Sequence, residues 1–279
     1  MNQPTLPARH IRWSAHTDRG KVRPQNEDSF IALQFDARET HRLGKIGESY
    51  TGDHHFVFAV SDGMGGAHAG EFASRVSVDK ILQLLPGSFR QDVTGIEAGF
   101  LEVLEELYGE IDVALKRLAG SYPEECKGMG ATLSLCWFTA EWLYFAHIGD
   151  SRIYYYEGAT GVLKQMSHDD THIGWLLRNG KMTEQEARRH PRRTALQKGL
   201  GADYQFVEPQ VGSVYLQPGD VFLLCSDGLI EGLYDSQIAE RLAGAQGETK
   251  ARELGRGALE TGGGDNVTAV VVEMVGRDC

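Results

Sequence analysis

A chain of 279 residues with 28 Lys and Arg against 39 Asp and Glu has a formal charge of −11, which argues against a nucleic-acid or anionic-membrane partner. Its 41% apolar and 24% charged residues are the composition of an ordinary globular protein. No run approaches 18 apolar residues, so no helical membrane span is expected. Residues 1–10 are polar, contain two prolines and lack an apolar leader segment, and read as a flexible N-terminus. Cys126, Cys136, Cys225 and Cys279 form no CxxC pair, and Cys136 and Cys225 lie in apolar runs, as expected of reduced, buried thiols. A cytoplasmic enzyme fits these features.

In chain order, alternating and apolar patterns predict strands over 11–17, 29–35 and 55–61. Between the last two lies a polar stretch, 37–54, of 18 residues with three glycines, long for a hairpin connection. With strand rise ~3.3 Å per residue, this insertion is expected at the surface, about 25 Å from Asp28 and Asp62. Val78, Ile81, Leu82 and Leu85 then repeat at i, i+3, i+4, i+7 and predict a helix. A second helix is expected to open on a capping box, Thr94 with Glu97, and to carry a one-sided stripe from Ile96 to Leu118.

Strands follow over 131–138, 142–148 and 153–156. A helical excursion over 171–200 contains a second capping box, Thr183 with Glu186, and a stop before Pro191. Strands over 211–216 and 221–225, helices over 235–242 and 250–259, and a strand over 267–275 complete the chain. No repeat or Pro/Ser-rich linker divides it, so a single domain over 11–276 is expected. The order is not the βαβ alternation of a parallel sheet. Antiparallel sheets with helix pairs packed outside satisfy it better.

Acidic islands punctuate this pattern: Asn26-Glu27-Asp28, Asp62-Gly63-Met64-Gly65-Gly66, Gly149-Asp150-Ser151-Arg152, Ser226-Asp227-Gly228 and Gly264-Asp265-Asn266. Asp62 and Asp227 each close an apolar run, and Asp265 opens another. Carboxylates at the rims of core strands, freed by adjacent glycines, are suited to converge. Two of them ~4 Å apart repel by about 4 kcal/mol at an effective dielectric of 20, so a convergent group calls for divalent cations.

Together with Arg23 and with Gly130-Ala131-Thr132, these islands closely resemble, in order and interval, the metal-dependent Ser/Thr protein phosphatases of the PP2C (PPM) family in their bacterial form. The resemblance runs from about residue 12 to 275. It implies an α+β fold, a four-layer α-β-β-α sandwich in which two antiparallel β-sheets are flanked by helix pairs, with a flap over 167–200. It further implies that Asp62 bridges two metal ions and that the carbonyl of Gly63 completes the second site. Asp227 and Asp265 would ligate the first and second ions, and Asp28, with Glu27 beside it, would hold metal-bound water. Hard oxygen ligands suit Mn²⁺ or Mg²⁺ rather than Zn²⁺.

By the same resemblance a metal-bridging hydroxide attacks phosphorus in line, and Arg23 grips the phosphate with its planar fork. The implied substrates are phosphorylated proteins, the products of a bacterial Ser/Thr kinase. Met64 stands where animal relatives carry a histidine thought to protonate the leaving alcohol. Asp150 matches a residue that, with the Asp227 equivalent, binds a third, weaker ion in bacterial relatives. In the flap those relatives often carry His or Ser near that ion, and Thr194 occupies the matching position here.

Blander roles compete at several positions. Asp-Gly pairs are common in turns, and Asp150, Ser151 and Arg152 suit a structural turn as well as a metal site. Arg23 also reads as a surface charge. His168-Asp169 looks like an HD hydrolase signature, and His168 with His172 has a spacing that fits zinc, but no third ligand is placed beside them. From 178 to 198, seven basic residues face Glu184 and Glu186, a net +5 island suited to steering an anionic phosphoprotein or simply to a solvated helix face. Two other functional readings stand beside the phosphatase: a phosphoprotein-binding module that has lost catalysis, and a metal phosphoesterase acting on small molecules.

Overall fold

The computed structural model describes residues 9–65, 68–92, 99–202, 207–244 and 249–276, apart from the side chains of 88–92. The capping box expected at Thr94 and Glu97 and all but the end of the N-terminal segment lie outside them. The first strands are β1 (His10–Asp18), β2 (Asp28–Phe35), β3 (Thr40–Arg42), β4 (Ile46–Tyr50) and β5 (His55–Met64), followed by helices α1 (Ala69–Asp92) and α2 (Phe100–Ser121). Next come β6 (Gly130–Ala131), β7 (Leu133–Phe138), β8 (Trp142–Ile148), β9 (Arg152–Glu157) and β10 (Val162–Gln165). Two short helices, α3 (His172–Arg178) and α4 (Glu184–Arg189), lead through β11 (Leu200–Gly201) to β12 (Gln210–Tyr215) and β13 (Val221–Cys225). The chain closes with α5 (Asp227–Gly232), α6 (Asp235–Ala243), α7 (Lys250–Thr261) and β14 (Val267–Val275).

These strands form two antiparallel sheets. One has the order β10-β9-β13-β14-β1-β4. The other runs β11-β6-β5-β7-β8-β12, with β2 and then β3 added beside β5. Alternation along the central strands explains the layers. In β5, Phe56, Phe58 and Val60 face the space between the sheets, while Val57 and Ala59 pack under α1 and α2. In β14, Val270, Val272 and Met274 enter the same central layer, while Val267, Ala269 and Val271 meet Leu229, Ile238 and Leu254 of α5, α6 and α7. Strands covered on both faces read as continuous apolar runs, and the result is the α-β-β-α sandwich.

The insertion over 37–54 lies largely exposed, as expected, but it is built of two short strands rather than a simple loop. Its β3 pairs with β2 in one sheet and its β4 pairs with β1 in the other, so the segment clips the two sheets together. Leu43 N–H donates to the Ala32 carbonyl, Ala15 N–H to that of Lys45, and the Trp13 indole to that of Gly44. Strands of three and five residues on sheet edges bury too little to leave an apolar signature. The helical excursion after 170 consists of two short helices, the second opened by the expected Thr183–Glu186 capping box, and α5, which the sequence does not announce, starts at Asp227.

Candidate active site

The register of β2 against β5 sets Asp28 directly opposite Asp62. Each is held from behind by hydroxyls of other elements. Ser226, at the end of β13, donates its hydroxyl to Asp28 Oδ2 at 2.7 Å and accepts the Thr268 N–H at 3.0 Å. Thr132 brackets the Asp62 backbone: its N–H donates to the Asp62 carbonyl at 2.8 Å and its hydroxyl accepts the Asp62 N–H at 3.0 Å. The same hydroxyl lies 2.6 Å from that of Ser151, which ties the Asp62 strand to the Gly149-Asp150 turn.

Gly63 is confined by helix α1, because a Cβ there would lie 1.9 Å from the Gly70 carbonyl oxygen. Gly149 has φ +110°, and a Cβ on it would come within 2.6 Å of Thr132; only glycine suits both the turn and the approach. Asp227 opens α5, and Asp265 lies just before β14. Asp265 Oδ1 accepts the Asn266 N–H at 2.8 Å, and its Oδ2 accepts Arg23 Nη2 at 2.6 Å. Arg23 is half-exposed, so this bond holds the guanidinium at the rim of the acidic cluster.

Electrostatics show that the carboxylates share one field. Burial pushes the Asp62 carboxyl well above its usual range, and repulsion from Asp28, Asp227, Asp150 and Asp265 adds to this. Asp227 is raised in the same way by burial and then by Asp150, Asp265, Glu231 and Asp28. Burial raises Asp28 to about 6 against the lowering effect of its bonds to Ser226 and Thr268. Asp150 is pushed to about 7, first by burial and then by Asp169. Asp28 Oδ1 and Asp227 Oδ1 are buried with no hydrogen-bond partner. Unsatisfied buried anionic oxygens are costly, and a hard divalent cation answers both the charge and the open lone pairs. The side chains do not stand as a finished cage, however. Among the described residues, no group of three or more His, Cys, Asp or Glu is arranged to hold a metal ion as it stands.

The flap packs beside this cluster. Asp170 accepts the Gly149 N–H at 3.0 Å, and Arg152 forks onto Asp169 at 2.8 and 2.7 Å, so the flap's base is fixed to the Asp150 turn. Most of the basic island is engaged within the protein rather than free. Arg188 donates to the carbonyls of Ile230, Glu231 and Leu233 at the end of α5 and stacks on Tyr234. Arg193 pairs with Glu231 at 2.5 Å, Lys198 with Glu208 at 3.5 Å, Lys181 lies over Trp175, and Arg178 donates to the Asp169 carbonyl. Arg189 and Arg192 remain exposed. A cavity of about 620 Å³ between flap and α5 has Asp150, Asp227, Arg189 and Thr194 in its wall. His168 and His172 have ordinary surroundings: the His168 backbone exchanges bonds with the Gln210 side chain, and His172 stacks on Trp175.

Ser226, Asn266 and the Asp169-Asp170 pair were not anticipated as supports of the site. In the sequence Ser226 and Asn266 stand within the acidic islands and Asp169 beside His168, but nothing there marks them as supports.

The sequence and the fold match a known class. A family model described as protein phosphatase 2C matches residues 47–256, and the chain belongs to that family. The serine/threonine protein phosphatase PstP of Mycobacterium tuberculosis is 33% identical over 273 residues, covering 96% of this chain and 46% of that protein. The serine/threonine phosphatase stp of Listeria monocytogenes is 31% identical over 268 residues, covering 94% of this chain and 97% of that one. This chain therefore spans about half the length of PstP and nearly all of stp. Among solved structures, that of M. tuberculosis PstP superposes with a TM-score of 0.74 at 32% identity, covering 96% of this chain and all of that one. The PstP catalytic domain has also been solved in complex with two manganese ions, with a TM-score of 0.74 at 31% identity and coverage of 96% and 99%.

Proposed function

We propose that this protein is a metal-dependent phosphatase of phosphoserine and phosphothreonine in proteins, with residues 11–276 as one catalytic domain. The observation that carries the proposal is the set of mutually repelling aspartates with two orphaned buried oxygens, on Asp28 and Asp227. Asp62, the Gly63 carbonyl, Asp227 and Asp265 would hold two Mn²⁺ or Mg²⁺ ions, with Asp28 bonded through water and Asp150 serving a weaker third. When bound, such ions supply an activated water and neutralise developing charge on the phosphoryl oxygens.

The chain's own residues then divide the work. Ser226 orients Asp28 by donating to one oxygen, which leaves the other without a hydrogen-bond partner and open to a ligand. Arg23 presents a bidentate fork at the rim, where phosphate oxygens replace or join Asp265 as its acceptor. Met64 offers no proton, so residue 64 does not protonate the leaving alkoxide.

The flap's remaining exposed cations, Arg189 and Arg192, suit an anionic polypeptide better than a small monoester, which favours phosphoproteins made by a Ser/Thr kinase. No helix among the described residues is long and apolar enough to cross a membrane, and action in the cytoplasm on such substrates is part of the proposal. Hydrolysis of a phosphothreonine peptide and of a nucleoside monophosphate, each with Mn²⁺ and with EDTA, tests the reading. Peptide turnover that needs Mn²⁺ and exceeds nucleotide turnover is expected. Activity that survives EDTA, or a preference for the nucleotide, overturns it.

A further inference from the structure

Arg23 sits in the segment between β1 and β2, and one side chain from another part of the chain grips that segment on both sides of it. Asn266 is 4% exposed. Its amide nitrogen donates to the Arg19 carbonyl and to the Gln25 carbonyl, both at 2.8 Å, and its amide oxygen accepts the Glu27 N–H at 2.7 Å. Both amide hydrogens and one lone pair are thus committed to backbone groups that bracket Arg23. The contact is reinforced from the main chain, where Lys21 N–H donates to the Gly263 carbonyl at 2.8 Å. Asn26 anchors the end of the segment separately, through Thr17 at 2.8 Å.

Asn266 also follows Asp265, the acceptor of the Arg23 guanidinium. A single buried residue therefore sets the distance between the strand end that carries Asp265 and the segment that carries Arg23. Arg23 itself is 48% exposed, and a long, half-exposed side chain is directed only as well as its backbone is fixed. We propose that Asn266 is a positioning residue for phosphate recognition: it fixes the backbone from which Arg23 reaches the phosphoryl oxygens, without touching them. This inference rests on the reading of Arg23 as the phosphate-binding arginine.

Two variants probe it differently. Asn266→Ala removes all three bonds. Asn266→Asp is nearly isosteric and keeps the acceptor for Glu27, but it loses both donors and sets a carboxylate against the Arg19 and Gln25 carbonyls. It also covers the case in which the alanine variant does not fold, and thermal melts of both monitor this.

The experiment is a double-mutant cycle on the Mn²⁺-loaded enzyme. KM and kcat for p-nitrophenyl phosphate and the inhibition constant of inorganic phosphate are measured for wild type, each Asn266 variant, Arg23→Ala and the combinations. Mn²⁺ affinity is measured by calorimetry for the same proteins. Each Asn266 variant is expected to raise KM and the phosphate inhibition constant about 10-fold, with kcat changed less than about 3-fold. In the Arg23→Ala background the same substitution should add less than about 2-fold. For Asn266→Ala, which adds no charge beside Asp265, Mn²⁺ affinity should stay within about 2-fold of wild type.

Effects that multiply with Arg23→Ala overturn the proposal, because they mean that Asn266 acts elsewhere. So does a loss of Mn²⁺ affinity in Asn266→Ala that accounts for the change, which places its action on Asp265. If Arg23→Ala alone leaves phosphate affinity unchanged, the assignment of Arg23 itself falls, and the role given to Asn266 falls with it.

Discussion

Asp28 opens β2 and Asp36 follows its end, yet the fold treats these two aspartates in opposite ways. Asp36 accepts the N–H groups of Arg38 and Glu39 at 2.7 and 2.9 Å, and these bonds hold its carboxyl below the usual range. Asp28 is buried, keeps one oxygen without a partner, and is pushed up to about 6. At the Asp36 end of the sandwich the charge is capped by its own turn, and Glu48, elsewhere on the clip, pairs with Arg12 at the surface. At the acidic end the same strand delivers a carboxylate into a field of others and leaves it short of donors. Structural aspartates are satisfied locally, and under-satisfied ones mark the place where a ligand completes the account.

The contrast can be broken most severely at its centre. Asp62→Asn and Asp227→Asn are each expected to lower kcat/KM by about 10³-fold or more, while the metal-free variants melt above the metal-free wild type because a repelling charge is gone. Calorimetric melting and turnover read both effects. Melting below the wild type would mean that the charge at 62 or 227 is not strained. The pH dependence has a definite sign. Asp28, raised from about 3.8 to about 6, contributes stability to the metal-free protein that is present below the lower value and is lost as pH rises through the upper one.

A milder change falls on the flap. Neutralising Arg189 and Arg192 together should raise KM for a phosphoprotein about 3-fold and leave that for p-nitrophenyl phosphate unchanged. Arg193, although part of the same basic run, belongs in a separate experiment because it holds Glu231. Equal effects on both substrates would remove the steering role.

The smallest change lies at the clip. Asp36→Ala should cost at most about 1 kcal/mol in chemical denaturation and leave activity intact. Its sign with pH is opposite to that of Asp28: the stabilisation from a lowered carboxyl is present above its ordinary value and is lost as pH falls through the lowered one.

Much of this contrast is legible in the sequence. The runs that became β5, β13 and β14 are apolar on both faces because helices cover one face and the opposing sheet the other, and glycines beside Asp62, Asp150, Asp227 and Asp265 flagged the strand ends. The edge strands β3 and β4 were not legible, since their stability comes from neighbours far along the chain rather than from apolar residues of their own. The same limit hid α5, whose six residues are fixed by Arg188 from the flap and by packing on α7. It also made the basic island look free. Charge counting sees seven cations, but the carbonyls at the end of α5 and the carboxylate of Glu231, which engage two of them, are some forty residues away. Ser226, Thr132 and Asn266 act by holding particular backbone and carboxylate atoms, and such roles exist only once the strands are side by side.

The central claim is that Asp62, Asp227 and Asp265, with Asp28 behind them, hold a pair of divalent cations. Calorimetric titration of the metal-free protein with Mn²⁺, wild type against Asp62→Asn, tests it most directly. The account predicts two ions per wild-type chain at high affinity and loss of at least one of them in the variant. An unchanged stoichiometry and affinity in Asp62→Asn would contradict it.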